Sequence, residues 1–284
     1  MIRPPVISVC IPAYRAERHL AATLASVRIQ SFANWELIVV EDGSRDGTEA
    51  LVDAFAKTVS QSVRYLRHDD NRGLSATRNI AIAAAVAPCL AQLDADDLWQ
   101  PDHLATSLAV LGDPTLPAAT FAACEIFDDA TSASLGHRTL APNDYNHIAE
   151  ALQSGRLVAQ PSGVLLTRAA IERVGDFDLA LPICNDVDFW IRLVRAGVPF
   201  RFTGRETLRY RKHPDAMSHR SADLIAELAR VHLKHRDWAA ISVTARRTRL
   251  RRLFLSAARM DARSRPARAL HELFTALVFP CFIR

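Results

Sequence analysis

Along the first hundred residues, apolar positions alternate between two patterns. Short unbroken runs are separated by stretches in which apolar residues recur every three or four positions. Residues 6–11 (VISVCI) form such a run, stopped by Pro12, and read as a buried strand. Residues 17–30 place Leu20, Leu24 and Val27 on one face of a helix. Residues 35–40 (WELIVV) predict a second strand, and Asp46-Gly47-Thr48 opens a helix carrying Leu51, Val52 and Phe55. Strands at 63–66 and 89–93 flank an Ala-rich helix over 73–87. Strand and helix alternating through short connections imply an α/β fold with a mostly parallel central sheet covered on both faces. In such sheets ligands sit beyond the carboxyl ends of the strands.

The second hundred residues are less regular. Strands are expected at 118–127 and 163–167, with a polar stretch between them, 128–156, suited to a binding loop. A helix over 185–196 is stopped by Gly197 and Pro199. From Ser221 onward the pattern is helical and rich in Arg.

Composition sharpens this picture. The 284 residues are 49% apolar and 23% charged, enough for a sizeable core and unlike a disordered chain. The formal charge of +4 hides an asymmetry: residues 1–200 hold 16 basic and 24 acidic residues, whereas 201–284 hold 19 and 7. An acidic body therefore carries a basic tail. Within the tail, the Arg-rich run 246–255 and the apolar positions Leu273, Phe274, Leu277 and Val278 of segment 270–283 suggest an amphipathic helix on an anionic membrane surface. A helical face packed on the body explains the same pattern. Nucleic acid is not an expected partner, because no aromatic interleaving or zinc motif accompanies the charge.

Five scattered Cys (Cys10, Cys89, Cys124, Cys184 and Cys281) without a CxxC fit a reducing compartment. The longest apolar stretch, 80–91, contains Pro88 and falls well short of the ~20 residues of a spanning helix. With no leader pattern at the N-terminus, a cytoplasmic location is expected, with peripheral attachment at the inner face of a membrane.

Polar residues collect at the expected strand ends: Pro12-Ala13-Tyr14, Glu41-Asp42-Gly43-Ser44, Asp69-Asp70-Asn71-Arg72-Gly73 and Asp94-Ala95-Asp96-Asp97. Carboxylates converging on one edge repel one another unless a cation joins them, so a hard divalent ion is a natural tenant. Asp94 and Asp96, at i and i+2 after a buried strand, suit Mg2+ or Mn2+ shared with phosphate oxygens; the competing reading makes Asp96 or Asp97 a helix cap. The turn at 41–48 offers backbone N–H groups to an anion or a base edge, or is a structural βα turn. It lacks the Lys of a P-loop, and the chain has no GxGxxG. On helix 185–196, Asp186, Phe189, Trp190, Leu193 and Val194 share one inward stripe, where burial would raise the pKa of Asp186 toward that of a useful base. The alternative is a first-turn acid serving the helix dipole. Asp188, about 200° from a common face with Asp186, lies opposite Arg192 and is expected to form a surface ion pair. Trp99 and Trp190 read as core.

Taken in order, Val9–Tyr14, Val39–Thr48, Asn71–Asn79, Leu93–Pro101, Asn185–Arg192 and Tyr210–His213 resemble the family 2 glycosyltransferases with the GT-A fold. The resemblance covers roughly residues 6–213. It implies a GT-A domain over 1–214, with a nucleotide-binding half (1–100) and an acceptor half (101–214), followed by an Arg-rich helical extension over 215–284. It further implies that Pro12, Ala13, Tyr14, Asp42, Arg78 and Asp94 bind the nucleotide, that Asp96 and His213 hold Mn2+ or Mg2+, and that Asp186 is the general base. The expected reaction is inverting transfer from a nucleotide-sugar donor, a UDP-sugar, to a glycan or lipid-linked acceptor in cell-surface polysaccharide synthesis. One departure stands out. The family usually has Glu-Asp where this chain has Asn185-Asp186. A non-catalytic nucleotide-sugar or glycan-binding module is the alternative that this departure supports. A sugar-1-phosphate nucleotidyltransferase would want a Gly-rich basic loop where Pro12-Ala13-Tyr14 stands.

Overall fold

The four apolar runs of the first hundred residues become strands β1 (Ile7–Ala13), β2 (Trp35–Glu41), β3 (Val63–Arg67) and β4 (Cys89–Gln92), all parallel, in the order β3-β2-β1-β4. The computed structural model describes residues 4–216, 221–238, 242–262 and 265–278. Helices α1 (Leu20–Arg28), α2 (Thr48–Ala56) and α3 (Leu74–Ala84) make the crossovers. Alternation along the buried strands sorts their side chains between two cores. Ile7, Val9, Ile11, Leu37 and Val39 meet α1 and α2, while Cys10, Ile38, Val40 and Leu90 meet α3 on the opposite face.

Beyond β4 the sheet continues through β8 (Val164–Thr167), antiparallel to β4, then β6 (Ala119–Asp128), antiparallel to β8, and β9 (Phe200–Lys212), parallel to β6. The two-residue β5 (Leu98–Trp99) closes the edge against β9. α4 (His103–Leu111) lies on the α1–α2 side; α5 (Ile148–Ser154), α6 (Arg168–Val174) and α7 (Asn185–Arg195) cover the other. Trp99 and Trp190 are core residues, each donating its indole N–H to a backbone carbonyl, of Ser162 and Ala159.

Three expectations change. β1 does not stop at Pro12. The Cys10 carbonyl is bonded from Leu93 and the Ala13 carbonyl from Asp42, so alternation turns the Pro12 nitrogen toward β4 beyond its last pair, Cys10–Gln92, where no donor is needed. The stretch 128–156 is not one loop: it holds β7 (Ser134–Arg138), paired with β6, and α5. Leu98-Trp99 is strand, so Asp96 and Asp97 cap no helix.

The tail packs on the body through α8 (Ser221–Lys234). Leu181, Cys184, Ile191 and Val231 form a buried cluster between α7 and α8. α9 (Val243–Asp261) and α10 (Pro266–Val278) build a smaller core around Ala229, Leu250, Phe254 and Ala276. Outward from it, α10 exposes Leu270, Leu273 and Phe274, one stripe at i, i+3 and i+4. The side chains of Leu277 and Val278, and residues 279–284 with Cys281 and Ile283, lie outside the described residues. Among the described residues no helix is long and apolar enough to cross a membrane. Cys10, Cys89, Cys124 and Cys184 are buried free thiols.

Candidate functional site

Parallel strands bring their carboxyl ends to one edge, and the residues singled out from sequence gather there. Pro12 and Ala13 are buried at the end of β1, while Tyr14 next to them stands 46% exposed beneath the Arg15 guanidinium. Arg15 and Arg45 both adopt positive φ, and the Arg15 N–H donates to Ser44 Oγ at 3.0 Å, tying the β1 and β2 loops together. Four backbone N–H groups of the 41–48 turn are bonded to side chains. Glu41 accepts from Gly43 and Ser44, Glu17 from Gly47, and Asp46 from Thr48. Of the two readings of this turn, the structural βα turn is the one these bonds favour.

Asp42 is buried and spans the gap to the next loop. Its Oδ1 accepts from the Arg72 N–H at 2.8 Å and lies 2.8 Å from His68 Nδ1; its Oδ2 accepts from the Gly73 N–H at 2.9 Å. The carboxylate thereby fixes the start of α3, which carries Arg78. Gly43 keeps this contact close: its φ is +78°, and a Cβ there would strike the Asp70–Asn71 backbone.

Arg78 joins the two halves of the site. Only 1% exposed and over the Phe177 ring, it donates to Asp94 Oδ1 at 2.7 Å and to Asn185 Oδ1 at 2.6 Å. The β4 end and the start of α7 are thus held by one guanidinium, and the Asn185 amide occupies the place where a carboxylate would make a second ion pair. Asp186, next in the chain, is half-buried; burial pushes its carboxyl up to about 6, with Arg78 pulling it down and Asp94 adding to the rise.

Asp96 and His213 meet at 2.9 Å, Oδ2 to Nε2. A carboxylate oxygen and an imidazole nitrogen are donors of the kind that Mn2+ or Mg2+ takes, and the fold sets them side by side. Among the described residues no cluster of three or more His, Cys, Asp or Glu closes a cage. The pair is braced by residues the sequence did not flag. Arg211 donates from Nε to the Asp96 carbonyl and from its N–H to Asp97 Oδ1, while Asp129 holds Arg18 and Arg211. Asp97 is buried, accepts from Ser162 Oγ at 2.6 Å, and has its pKa pushed well up by burial and by Asp96 and Asp94. The His19 ring lies tilted against that of His213, with ring centres 4.9 Å apart. No periodicity marks these residues, because β1–α1, β6 and β9 converge only in three dimensions.

Asp188 differs from its expected surface ion pair. It is fully buried, and its oxygens meet Arg192 at 2.9 Å, His235 at 2.8 Å and Lys234 at 2.7 Å, partners that hold its pKa far below the ordinary carboxylate range despite burial. Lys234 is the last residue of α8, and His235 follows it directly. Asp186 and Asp188 therefore sit in opposite surroundings, as their angular separation required. The start of α7 also depends on α8. Cys184 supplies no side-chain cap, and Glu227 Oε1 instead accepts the N–H groups of Ile183 and Cys184 at 2.8 and 2.7 Å.

This architecture is that of the GT-A glycosyltransferases, and the chain belongs to glycosyl transferase family 2, whose model matches residues 8–175. EpsH of Bacillus subtilis (strain 168), whose name assigns it provisionally to the glycosyltransferases, is 31% identical over 169 residues, 59% of this chain and 48% of its own length. UDP-Glc:alpha-D-GlcNAc-diphosphoundecaprenol beta-1,3-glucosyltransferase WfgD of Escherichia coli is 32% identical over 106 residues, 37% of this chain and 41% of that protein. The chain thus spans less than half the length of these curated relatives. Among solved structures, S. aureus TarS shares the fold with a TM-score of 0.65 at 16% identity, covering 95% of this chain and 49% of that one. Mannosyltransferase PcManGT from Pyrobaculum calidifontis, in complex with GDP-Man and Mn2+, gives 0.64 at 19% identity, covering 98% and 81%.

Proposed function

We propose that the protein is a metal-dependent, inverting glycosyltransferase that moves a sugar from a UDP-sugar to a hydroxyl of a glycan or lipid-linked acceptor in cell-surface polysaccharide synthesis. The observation that carries this reading is the Arg78 bridge, which sets a carboxylate with a pKa of about 6 beside the acidic end of β4. Tyr14, exposed above Pro12 and Ala13, offers a face to the base. Asp42 shapes the wall behind it, and Arg78 and Asp94 border the diphosphate. Asp186 takes the proton of the acceptor hydroxyl as that oxygen attacks the anomeric carbon opposite the diphosphate; the bond from that carbon to the diphosphate oxygen breaks and the configuration inverts. Mn2+ or Mg2+ held by Asp96 and His213 would neutralise charge on the departing diphosphate.

The UDP and UDP-GlcNAc complexes of TarS and the UDP-Glc in the WfgD name support the nucleotide. The diphosphoundecaprenol in that name supports a lipid-linked acceptor. The exposed Leu270–Leu273–Phe274 stripe of α10, beside exposed Arg251 and Arg259 of α9, supports attachment to an anionic membrane surface from the cytoplasmic side. The test is transfer or donor hydrolysis by purified protein with a UDP-sugar panel and Mn2+. Turnover abolished by chelator supports the reading. Donor binding without turnover across the panel would overturn it in favour of a non-catalytic binding module.

A further inference from the structure

Between α5, α8 and α9 lies an open cleft of about 760 Å³, remote in sequence from every strand-end motif. One face of α9 lines it: Thr248, Arg249, Arg252 and Ser256 fall at i, i+1, i+4 and i+8. Across from them stand Glu150 and Arg156.

The charges do not cancel. Arg156 is matched by Asp144, which it grips with two nitrogens. Arg249 is part-buried, and its partners are neutral: its Nη1 donates to the Ser154 carbonyl and its Nε to His232 Nε2 at 3.2 Å. His232 accepts because burial, helped by Arg249, pulls its pKa down to about 3. Burial also depresses the pKa of Arg249 itself. The guanidinium lies over Gly155, which has φ +74° and where a Cβ would overlap it. A cation withdrawn from water ordinarily has an anion beside it. Here the chain supplies hydrogen-bond acceptors but no carboxylate among the described residues, and Arg252, three residues on and exposed, adds a second positive charge. Glu150 is the single acid on the lining.

We propose that this cleft is an anion site for a phosphate or diphosphate group, held by Arg249 and Arg252, with the Thr248 and Ser256 hydroxyls available as donors. Arg binds such oxygens through paired N–H groups, and no metal is required. The site is separate from the donor site and does not depend on the transferase reading.

The test is calorimetric titration of inorganic pyrophosphate into the full chain with EDTA present, so that no divalent ion serves Asp96 and His213. Wild type should bind, and Arg252→Gln should weaken binding at least 10-fold. Among the described residues Arg252 has no hydrogen-bond partner, so that variant should fold even if Arg249→Gln does not. Glu150→Gln should tighten binding several-fold by removing the opposing charge, and Asp96→Ala should leave it unchanged. A second arm separates sources. Vesicles of neutral lipid with phosphatidic acid should lose affinity for Arg252→Gln if the phosphate is a headgroup, and be indifferent to it if the ligand is free in solution; either supports the site. Absence of pyrophosphate binding, binding indifferent to both Arg252→Gln and Glu150→Gln, or binding lost in Asp96→Ala would overturn it.

Discussion

Replacing Asp188 by Asn removes one negative charge from a fully buried position faced by Arg192, Lys234 and His235. Breaking a buried ion pair costs about 3–5 kcal/mol when the partner is left without compensation. Compensation here is partial. Arg192 keeps the carbonyls of Val174, Gly175 and Asp176, and Lys234 keeps Asp178, whereas His235 loses the carboxylate. A loss of about 2–4 kcal/mol is therefore expected, with a fall in Tm of several degrees. The same exchange at Asp186 should act in the opposite direction. Burial disfavours its charge, so Asp186→Asn removes a cost on the order of 1–2 kcal/mol at neutral pH, after allowing for its partial exposure.

The pH dependence separates the two. The folded pKa of Asp188 is depressed, so the advantage of wild type over Asp188→Asn is full above pH ~4 and shrinks as pH falls below it. The folded pKa of Asp186 is raised, so the advantage of Asp186→Asn over wild type is absent below pH ~4 and grows until pH passes about 6. Urea denaturation at pH 4, 5.5 and 7 reads both, with transfer assayed in parallel. Asp186→Asn should lower transfer ~10²–10⁴-fold with donor binding near normal, and Asp188→Asn should keep activity in whatever fraction folds. Equal stability of wild type and Asp188→Asn at pH 7 would refute the charge-cluster argument. Near-normal transfer by Asp186→Asn would remove the base from its proposed role.

Other outcomes follow from the same contacts. Transfer by wild type should show an acid limb near pH 6, where Asp186 loses its ability to accept a proton, and a pH–rate profile without that limb contradicts the assignment. Asp96→Ala, at a strand end rather than in the core, should fold normally yet lose Mn2+-dependent donor binding, read by thermal shift with and without the ion. Arg78→Lys keeps the charge but cannot hold Asp94 and Asn185 at once; transfer should drop at least 10-fold, and an unchanged rate would dissolve the bridge argument. Phe274→Ser should reduce binding to anionic vesicles in flotation assays, with added salt weakening wild type further; binding indifferent to both excludes α10 as the attachment face.

The first hundred residues were largely legible in the sequence because β1, β2 and β4 are buried along their whole length, so each reads as a largely apolar run closed by a polar end. The ordered motifs then singled out Asp94, Asp96, Arg78 and Asp186, and the fold brings Asp94, Arg78 and the start of α7 together. β9 was not legible. Its residues FRFTGRETLRYRK are broken by Gly204 and a register shift against β6, and many face solvent. β7 is exposed along most of its length, so residues 128–156 carried no period to read. The surroundings of Asp188 lay beyond any local rule. Its i+4 partner was visible, but His235 and Lys234 reach it from more than 45 residues away. At the 41–48 turn, the N–H groups of Gly43, Ser44 and Gly47 are taken by Glu41 and Glu17, acids whose direction the sequence does not state.

The Glu227 contact has a consequence for the order in which the protein is made. Residues 183 and 184 leave the ribosome more than 40 positions before the carboxylate that accepts their N–H groups. Until α8 emerges and docks, the residues that open the helix bearing Asp186 lack the acceptor they have in the fold, and Asp188 lacks two of its three partners. A nascent chain halted short of Ser221 would carry every strand-end motif in its sheet and still hold an unfinished α7. A helix made after the whole sheet would then decide whether α7 starts as it does in the folded chain.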